Sequence, residues 1–511
     1  MIINAIELSL FSSRINAICE QMGAVLQQTA ISPNIRDRLD YSCAIFDVDG
    51  QLCAQAAHIP VHLGSMAYAM RDIVDQRQWQ VGDTVILNDP FQGGTHLPDI
   101  TFISPVFVKK RLFGFVANRA HHADIGSESP GSMPISKCIE EEGLIISNQL
   151  IGMECKLNED ILNELVSGLR NPELSKADFK AQFSVNQKGI DALQSLIELY
   201  RQDLFSDYLN ALNNYARRLA KESLNSLPTG SYQFSDMMDD DGLGKHDIPI
   251  QCEITINQDA IVCDFTGTVN QVSGNINCPI SVTAAAVYYC FRCLMPDYLP
   301  NCAGSFDFIQ LKVPENNLLN ASFPAAVAAG NVETSTRVVD VVFGALTKAL
   351  PEHIPAASHG SMNNIAMGSN TWSYYETIGG GMGASKQTAG CDSMQTHMTN
   401  TLNTPIEILE INYPLRMKEY SVRRHSGGQG LKHGGDGIIR HYEFLEEANV
   451  TLLTERRLHA PWGIKGGENG KAGVNRLNQE ILPAKSSFKV KPNDNLIIET
   501  PGGGGYGKPS N

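Results

Sequence analysis

TVILNDPFQGGTHLPDIT (residues 84–101) and FGFVANRAHHADIG (residues 113–126) are the two segments that decide the fold of the first part of the chain. Each begins as an apolar run with the composition of a β-strand and ends in polar residues typical of loops. SCAIFDVDGQLCAQ (42–55) adds a hairpin that turns at Asp49-Gly50. These patterns predict a sheet whose strands end in polar loops, where folds commonly present functional side chains.

Helical periodicity flanks this predicted sheet. Apolar residues recur at helical spacing over residues 1–30 and again over roughly 157–226, with a stop expected at Pro228-Thr229-Gly230. After Ser231 the sequence alternates as antiparallel strands do, and two further helices are expected near 281–296 and 335–350. The strand segments are PIQCEITIN (249–257), AIVCDFTG (260–267) and FIQLKVP (308–314).

Glycine is concentrated in the C-terminal part of the chain. Of the 44 glycines, 23 follow His359, although only 152 residues remain. Strings such as SGGQGLKHGGDG (426–437) and TPGGGGYG (500–507) separate short β-like runs, so we expect a loop-rich β region with glycine turns. The predicted fold class is α+β. Its expected domains are a mixed α/β domain at 1–228, a mixed sheet and helix domain at 229–358, and a glycine-rich β and loop domain at 359–511.

The composition excludes several classes of function. With 40 Lys+Arg against 55 Asp+Glu the net charge is -15, the wrong sign for a nucleic-acid partner. Residues 1–20 lack a basic leader with an uninterrupted apolar run, and no run of about 18 apolar residues predicts a membrane span. We therefore expect a cytoplasmic protein with no membrane association, whose twelve cysteines are mostly reduced.

The densest cluster of ligand-type residues lies between residues 37 and 124. Five of the thirteen histidines fall within 65 residues there. Imidazoles and hard carboxylates without a thiolate suit a catalytic Mn, Zn or Fe site with an open position. The alternative is that these histidines cap loops and bond buried carbonyls. The cluster comprises Asp37, Asp40, His58, His62, Asp89, His96, Asp99, His121, His122 and Asp124.

Several polar strings in the second half of the chain are poor material for a core. AGNVETSTR (329–337), SHGSMNN (358–364), YYETIGGG (374–381) and HMTNTLNTP (397–405) are expected either to line a cleft or subunit interface or to form turns. DDDG (239–242) lacks the alternation of a calcium-binding loop and predicts a solvated acidic turn.

The C-terminal string also matches the GxxxxGK pattern formally, from Gly502 to Lys508. A phosphate loop needs Ser or Thr after the lysine and a helix that follows, whereas Pro509 stands there. We therefore expect that any ATP is bound by another subunit and not by this chain.

Six of these strings together resemble the hydantoinase B/oxoprolinase family, and they occur in family order from about Asp37 to the C-terminus. The resemblance implies a B-type subunit, or the corresponding half of a fused oxoprolinase, that works with a hydantoinase A-type ATPase subunit. The partner would use ATP to phosphorylate a carbonyl oxygen of the substrate. The strings are NDPFQGGTHLPDITFISPVF (88–107), NRAHHADIGSESPGSMP (118–134), AGNVETSTRVVDVV (329–342), YYETIGGGMGA (374–384), HMTNTLNTPIEILE (397–410) and TPGGGGYG (500–507).

The resemblance also implies which residues bind the metal. The family's ligands fall on His96 and Asp99, on His121 as the favoured histidine of HHAD, and on an acidic residue of RDRLD. That acidic residue is Asp37 or Asp40, and Asp37 stands where the family more often has Glu.

Three neighbours, His122, Asp124 and Asp89, are expected to act in the catalytic site beside the metal, where they would orient the imidazoles. The activity implied is opening of a small cyclic amide ring, such as hydantoin, N-methylhydantoin or 5-oxoproline, in a hetero-oligomer. One alternative is a subunit of a ketone carboxylase of the acetone or acetophenone type. The other is a non-catalytic scaffold subunit that holds a structural ion.

Overall fold

The computed structural model describes residues 3–56 and 59–509. These residues form nine α-helices and twenty strands arranged in four sheets. The predicted α+β class is confirmed. His58, one of the histidines of the sequence cluster, lies outside the described residues.

The first sheet has seven strands in the order β2-β1-β5-β4-β3-β6-β7, and all neighbours are antiparallel. Six helices accompany it. The strands are β1 (Tyr41–Phe46), β2 (Leu52–Ala56), β3 (Thr84–Leu87), β4 (Asp99–Val108), β5 (Arg111–His121), β6 (Gln149–Met153) and β7 (Lys156–Leu157). The helices are α1 (Ala5–Thr29), α2 (Pro33–Arg36), α3 (His62–Val74), α4 (Glu159–Val166), α5 (Pro172–Leu199) and α6 (Phe205–Leu224).

Both faces of this sheet are covered, which explains why its central strands are apolar at nearly every position. On β1, Cys43 and Ile45 pack against the core of α1, α5 and α6. Their neighbours Ala44 and Phe46 point the other way, into the core of α3. The hairpin predicted at Asp49-Gly50 joins β1 to β2, and the predicted N-terminal helix is α1.

The second sheet has the order β11-β10-β9-β8, and its pairing of β10 with β11 is parallel. Two helices pack against one another beside it, at the positions predicted from the sequence. The elements are β8 (Gly230–Asp240), β9 (His246–Ile256), β10 (Ile261–Asp264), α7 (Ile280–Arg292), β11 (Ile309–Lys312) and α8 (Ser335–Ala349). A π-helical turn, Gly330–Thr334, leads directly into α8.

The C-terminal part contains two sheets that share one apolar core. Their orders are β13-β12-β16-β19 and β14-β15-β20-β17-β18. The elements are β12 (Asn364–Gly368), β13 (Ser373–Glu376), α9 (Ile406–Asn412), β14 (Leu415–Arg423), β15 (Gly437–Phe444), β16 (Ala448–Leu453), β17 (Val474–Leu477), β18 (Glu480–Leu482), β19 (Lys485–Val490) and β20 (Asn495–Glu499).

The sequence suggested that the glycine strings form turns, but in the structure most of them do not. Segments 379–383, 427–435, 463–470 and 502–505 pack backbone against backbone, and we call them the glycine bundle. Gly503 donates its N–H to Gly435 O at 2.9 Å and accepts from Gly428 N at 2.9 Å. None of the glycines at 502–505 has a positive φ. Glycine is required there because the chains approach too closely to admit a Cβ atom.

The acidic string DDDG is buried, which contradicts the predicted solvated turn. Asp239, Asp240 and Asp241 are at most 7% exposed. The Asp239 carboxylate accepts backbone N–H groups of Arg457 and His459, at 2.6 and 3.0 Å. The sequence could not indicate the burial of Asp239 because its hydrogen-bond donors lie more than 200 residues further along the chain.

Two further expectations concern membrane association and the division into domains. Among the described helices, none combines the length and the apolar character that crossing a bilayer requires. The division into domains at 228 and 358 stays a prediction, although α6 ends and β8 begins on either side of residue 228.

Replacing Gly503 with alanine is expected to destabilise the protein. A Cβ atom there would lie 2.1 Å from the carbonyl oxygen of Met382, which belongs to the backbone and cannot rotate away. Overpacking of this kind costs about 1–3 kcal/mol, and we expect more than about 2 kcal/mol in denaturant unfolding. Gly168→Ala is the matched control, since a Cβ at Gly168 has no neighbour within 4 Å. Equal stability of the two variants would contradict this role of the bundle.

Candidate metal centre

The residues of the candidate centre meet where the central strands β4 and β5 of the first sheet begin and end. Asp99 begins β4 and His121 ends β5, and the two are directly paired across the antiparallel strands. His96 precedes Asp99 by three residues in the connecting loop, and His62 begins α3. Strand ends, a loop and a helix start therefore converge on one point.

Three imidazoles surround the Asp99 carboxylate. Nε2 of His96 and Nδ1 of His121 each lie 3.1 Å from Asp99 Oδ1, and Nε2 of His62 lies 3.3 Å from Oδ2. All four side chains are at most 3% exposed. His96, Asp99 and His121 each offer one ligand atom within 4.8 Å of the other two.

Hydrogen bonds fix the orientation of these groups. Thr95 Oγ1 donates to Asp99 Oδ2 at 2.6 Å. Nδ1 of His62 lies 3.0 Å from Ser42 Oγ, and Nδ1 of His96 lies 3.3 Å from the carbonyl oxygen of Ala328. Nε2 of His121 is buried and has no hydrogen-bond partner, whereas Nε2 of His96 has only its ion-pair contact with Asp99 Oδ1. Buried polar atoms are rarely left unpaired, so Nε2 of His121 marks a place for a ligand.

The electrostatics of the cluster are dominated by burial and by Asp99. Burial would raise the pKa of Asp99, but the neighbouring charges of His96 and His62 hold it well below its usual value. Burial would lower the pKa of His96, but the Asp99 charge raises it. For His121 burial outweighs the bond to Asp99, and its pKa is lowered. The carboxylate is therefore ionised, and at least one imidazole is available as a neutral ligand.

Of the two acidic residues of RDRLD, the structure brings Asp40 to the cluster. Asp40 is 7% exposed and lines a small cavity together with His62, His96, Asp99 and His121. Its carbonyl oxygen accepts the backbone N–H of His121 at 3.0 Å.

Asp37 does not line that cavity. Its carboxylate instead accepts from the guanidinium of the neighbouring Arg36, at 2.9 and 3.3 Å. Asp40 is therefore the acidic residue of RDRLD that lies at the candidate centre.

The three expected catalytic neighbours do not line the cavity. His122 follows His121 on the opposite face, where Nε2 lies 2.8 Å from Gln182 Oε1. Asp124 accepts from the backbone N–H of Arg170 at 2.5 Å. Asp89 caps the turn at residues 90–92 by accepting from Phe91 N at 2.9 Å. Each carboxylate and imidazole is thus engaged in holding a loop or helix.

Apart from Ile59 and Val61, the rest of the cavity wall comes from the polar strings of the second half of the chain. Tyr375 stacks on His121 with ring centroids 4.8 Å apart, and its hydroxyl donates to Asn364 Oδ1 at 2.7 Å. Asn331, on the π-helical turn, donates to Asp99 Oδ2 at 3.4 Å. The polar composition of these strings predicted that they line a cleft or interface or form turns, but it did not predict which of their residues line the cavity. The lining residues from the strings are Asn331, Val332, Met362, Tyr375, Thr377, Thr399 and Thr401.

These residues could hold a divalent transition metal. The imidazoles of His96 and His121, the Asp99 carboxylate and Asp40 form a nitrogen and oxygen donor set without sulfur, which suits Mn, Zn or Fe. The cavity measures about 20 Å³, the size of one water or ion.

The family model of hydantoinase B/oxoprolinase matches residues 4–509. The chain belongs to this family. 5-oxoprolinase 1 of Arabidopsis thaliana is 40% identical over 547 residues, covering 99% of this chain and 42% of that protein. The B-type component named for a D-/L-hydantoinase of Pseudomonas sp. (strain NS671) is 30% identical, over 96% of this chain and 88% of its own length. The chain thus spans about two-fifths of the oxoprolinase and most of the hydantoinase component.

Two solved structures share the fold. The ATP-dependent caprolactamase from Pseudomonas jessenii superposes with a TM-score of 0.93 at 26% identity, covering 99% of this chain and 92% of that chain. The nucleotide-free acetone carboxylase superposes with a TM-score of 0.87, over 97% and 75% of the two chains. Its 17% identity shows the common fold alone.

Two further titratable groups of this family member, Glu333 and His359, are buried. Burial and the nearby charge of Glu455 raise the pKa of Glu333 to about 8. Burial lowers the pKa of His359 to about 3, and neither ring nitrogen has a hydrogen-bond partner. Both groups are therefore uncharged at neutral pH.

His359 is expected to make the fold sensitive to acid. The folded protein keeps it neutral down to about pH 3, whereas the unfolded chain binds a proton below about pH 6.5. Stability should therefore fall as the pH drops through 6.5, by about 1.4 kcal/mol per pH unit from this group. Denaturant unfolding of wild type and His359→Leu between pH 7.5 and 4.5 checks this. The wild-type profile should be steeper, and parallel profiles would refute the assignment.

Proposed function

We propose that the chain is the metal-binding part of an ATP-dependent enzyme that opens small cyclic amides. The observation that carries the proposal is the buried cluster of His96, Asp99 and His121 with Asp40 beside it. A divalent metal held there would supply Lewis-acid activation of water. The candidate substrates are hydantoin, N-methylhydantoin and 5-oxoproline.

The chemistry explains why such a site would work with ATP. Amide nitrogen donates electrons into the carbonyl group, so attack by water is slow. Phosphorylation of the carbonyl oxygen removes this resonance. Water then adds to the carbon, the C–N bond breaks as nitrogen takes a proton, and an acyl phosphate remains. A second water releases phosphate and the carboxylate. In this scheme Asp99 and the imidazoles bind and orient the metal.

ATP binding is assigned to a hydantoinase A-type partner, in a hetero-oligomer or a fused chain. The N–H groups of residues 502–505 all donate to backbone carbonyls, namely those of Lys471, Gly435, Ala357 and Glu468. They have no capacity left to cradle a phosphate, which supports the view that this string is not a nucleotide loop. The twelve free thiols fit a reducing compartment, and we propose the cytoplasm.

Two other functions remain as alternatives. A ketone carboxylase is suggested by the acetone carboxylase, whose likeness extends only to the fold. The caprolactamase is more similar in sequence, and its name refers to a cyclic amide, which favours the amide. A scaffold with a structural ion is disfavoured because structural sites are usually rich in thiolates and closed.

The purified chain is expected to bind about one divalent transition metal per molecule through His96, Asp99, His121 and Asp40. Removing a residue that merely hydrogen-bonds to a metal ligand lowers metal affinity about 10–100-fold. Because His96→Ala and Asp99→Asn remove or weaken a ligand itself, we expect each to lower metal affinity more than about 100-fold. Elemental analysis and metal titration measure this.

Asp40→Asn and Asp37→Asn form a matched pair for the same assay. The first should lose metal, and the second should retain it because Asp37 is paired with Arg36. Wild-type metal content in both His96→Ala and Asp99→Asn would reject the centre.

Reconstitution with a hydantoinase A-type subunit tests the reaction. We expect ATP-dependent opening of a cyclic amide without bicarbonate, lost in His121→Ala and retained in Asp37→Asn. Phosphate release should require the partner. A panel of hydantoins, 5-oxoproline and ketones, each with and without bicarbonate, distinguishes cyclic amide opening from ketone carboxylation. Ketone consumption that strictly needs bicarbonate, or ATPase activity of this chain alone, would overturn the proposal.

A further inference from the structure

Three threonine hydroxyls form the wall of the cavity that the C-terminal part contributes. Thr377, Thr399 and Thr401 all line it and are at most 5% exposed. Thr377 Oγ1 lies 2.6 Å from Thr401 Oγ1, which lies 3.4 Å from Thr399 Oγ1. These hydroxyls bond to one another, although each could also serve a ligand in the cavity.

Behind Thr377 lies a buried guanidinium, that of Arg38. Arg38 is fully buried and donates to Thr377 Oγ1 at 3.2 Å and to the carbonyl oxygen of Tyr375 at 2.7 Å. Among the described residues no carboxylate lies within ion-pair distance of it, and its Nε has no partner. Asn34 Oδ1 at 3.3 Å and the ring of Tyr375 at 5.0 Å also contact the guanidinium, but neither is a counter-ion. A buried charge without a counter-ion is costly, so an anion bound nearby would stabilise it.

The hydrogen bonds set the polarity of Thr377. Its oxygen accepts from Arg38 and from Gln395 Nε2, the latter at 3.4 Å. Its own proton is thus directed to Thr401 or into the cavity. Arg38 therefore holds Thr377 as a hydrogen-bond donor, the polarity that an anion requires.

The charges around the cavity also favour an anion as its ligand. Its lining contains two carboxylates, Asp40 and Asp99, whose charge a divalent cation would neutralise. The buried guanidinium of Arg38, which bonds to Thr377 in the cavity wall, would then remain. The metal-loaded site would carry a positive charge.

We infer that Thr377 and Thr401, with Arg38 behind Thr377, bind the phosphoryl group of the activated substrate beside the metal centre. This inference rests on the proposed function and names the group that the cavity recognises. Thr377 and Thr401 contact phosphoryl oxygens, while Arg38 is a positioning residue that orients Thr377 and supplies charge.

Entry of such a group requires movement of the segment 391–405, which we call the strap. The strap has no helix or strand and carries Thr399 and Thr401. Its side chains are held by Asn403, which donates to Glu376 at 2.8 Å, and by the bond between Thr401 and Thr377. Its backbone is held by bonds such as those from Val61 N to Met398 O and from Leu402 N to Arg38 O, both at 3.2 Å. The cavity of about 20 Å³ is too small for a phosphoryl group. Binding therefore exchanges the bond between Thr377 and Thr401 for bonds to the anion.

Titration of inorganic phosphate and acetyl phosphate into the full chain with Mn²⁺ tests the inference by calorimetry. Hydrogen bonds to charged groups are the strong ones, so Thr377→Val and Thr401→Val should each raise Kd about tenfold or more. Thr377→Ser keeps the hydroxyl and should bind as wild type. Arg38→Lys keeps the charge and should bind better than Arg38→Met. Acetyl phosphate should bind at least as tightly as phosphate.

Thr451→Val is the matched control, since Thr451 is equally buried but lies on β16, bonded to Ser129. Its phosphate affinity should equal that of wild type. Absence of phosphate binding by wild type, equal Kd in Thr377→Val and Thr377→Ser, or weaker binding of acetyl phosphate than of phosphate would overturn the inference.

The reconstituted pair separates this inference from the proposed function. Phosphate inhibition of cyclic amide opening should weaken about tenfold in Thr377→Val. Metal-dependent turnover with unchanged phosphate inhibition would remove the phosphoryl site and leave the function. Hydroxyl-dependent phosphate binding without any amide opening would remove the function and leave the anion site.

Discussion

The buried carboxylate of Asp99 is the constraint on which the rest of the site depends. Removed from water at the start of β4, it would be unstable alone, and three imidazoles and the hydroxyl of Thr95 compensate it. Those partners come from β5, α3 and the loop before β4. Their convergence ties the ends of two strands, the helix and the loop into one arrangement, and it leaves Nε2 of His121 without a hydrogen-bond partner.

The N-terminal half of this site was predictable because local patterns carry it. THLPD and HHAD stand at the ends of two strands that pair antiparallel, so their registration brings Asp99 opposite His121. His122 shows the limit of that reasoning. Adjacent residues of a strand point to opposite faces, and His122 accordingly packs against Phe179 and Gln182. The sequence also could not show which of Asp37 and Asp40 lies at the site, because only the structure shows that Asp40 lines the cavity.

The other half of the wall could not be located from the sequence. Thr377 and Tyr375 lie more than 250 residues from His121, and only the packing of the second and third sheets against the first places them there. The glycine bundle was not predictable for the same reason, because it too depends on contacts between segments that are distant in the sequence. Composition indicated β structure and loops, but whether a glycine serves a turn or a close contact depends on what packs opposite, such as Met382 beside Gly503.

The central claim is that His96, Asp99, His121 and Asp40 share one divalent metal. Anomalous diffraction from crystals of the full chain grown with Mn²⁺ measures this directly, since it locates the ion without reference to activity. The account predicts one dominant anomalous peak within about 2.3 Å of a nitrogen of each imidazole and an oxygen of Asp99. A dominant peak elsewhere, or none at this cavity with the cluster intact, would contradict it.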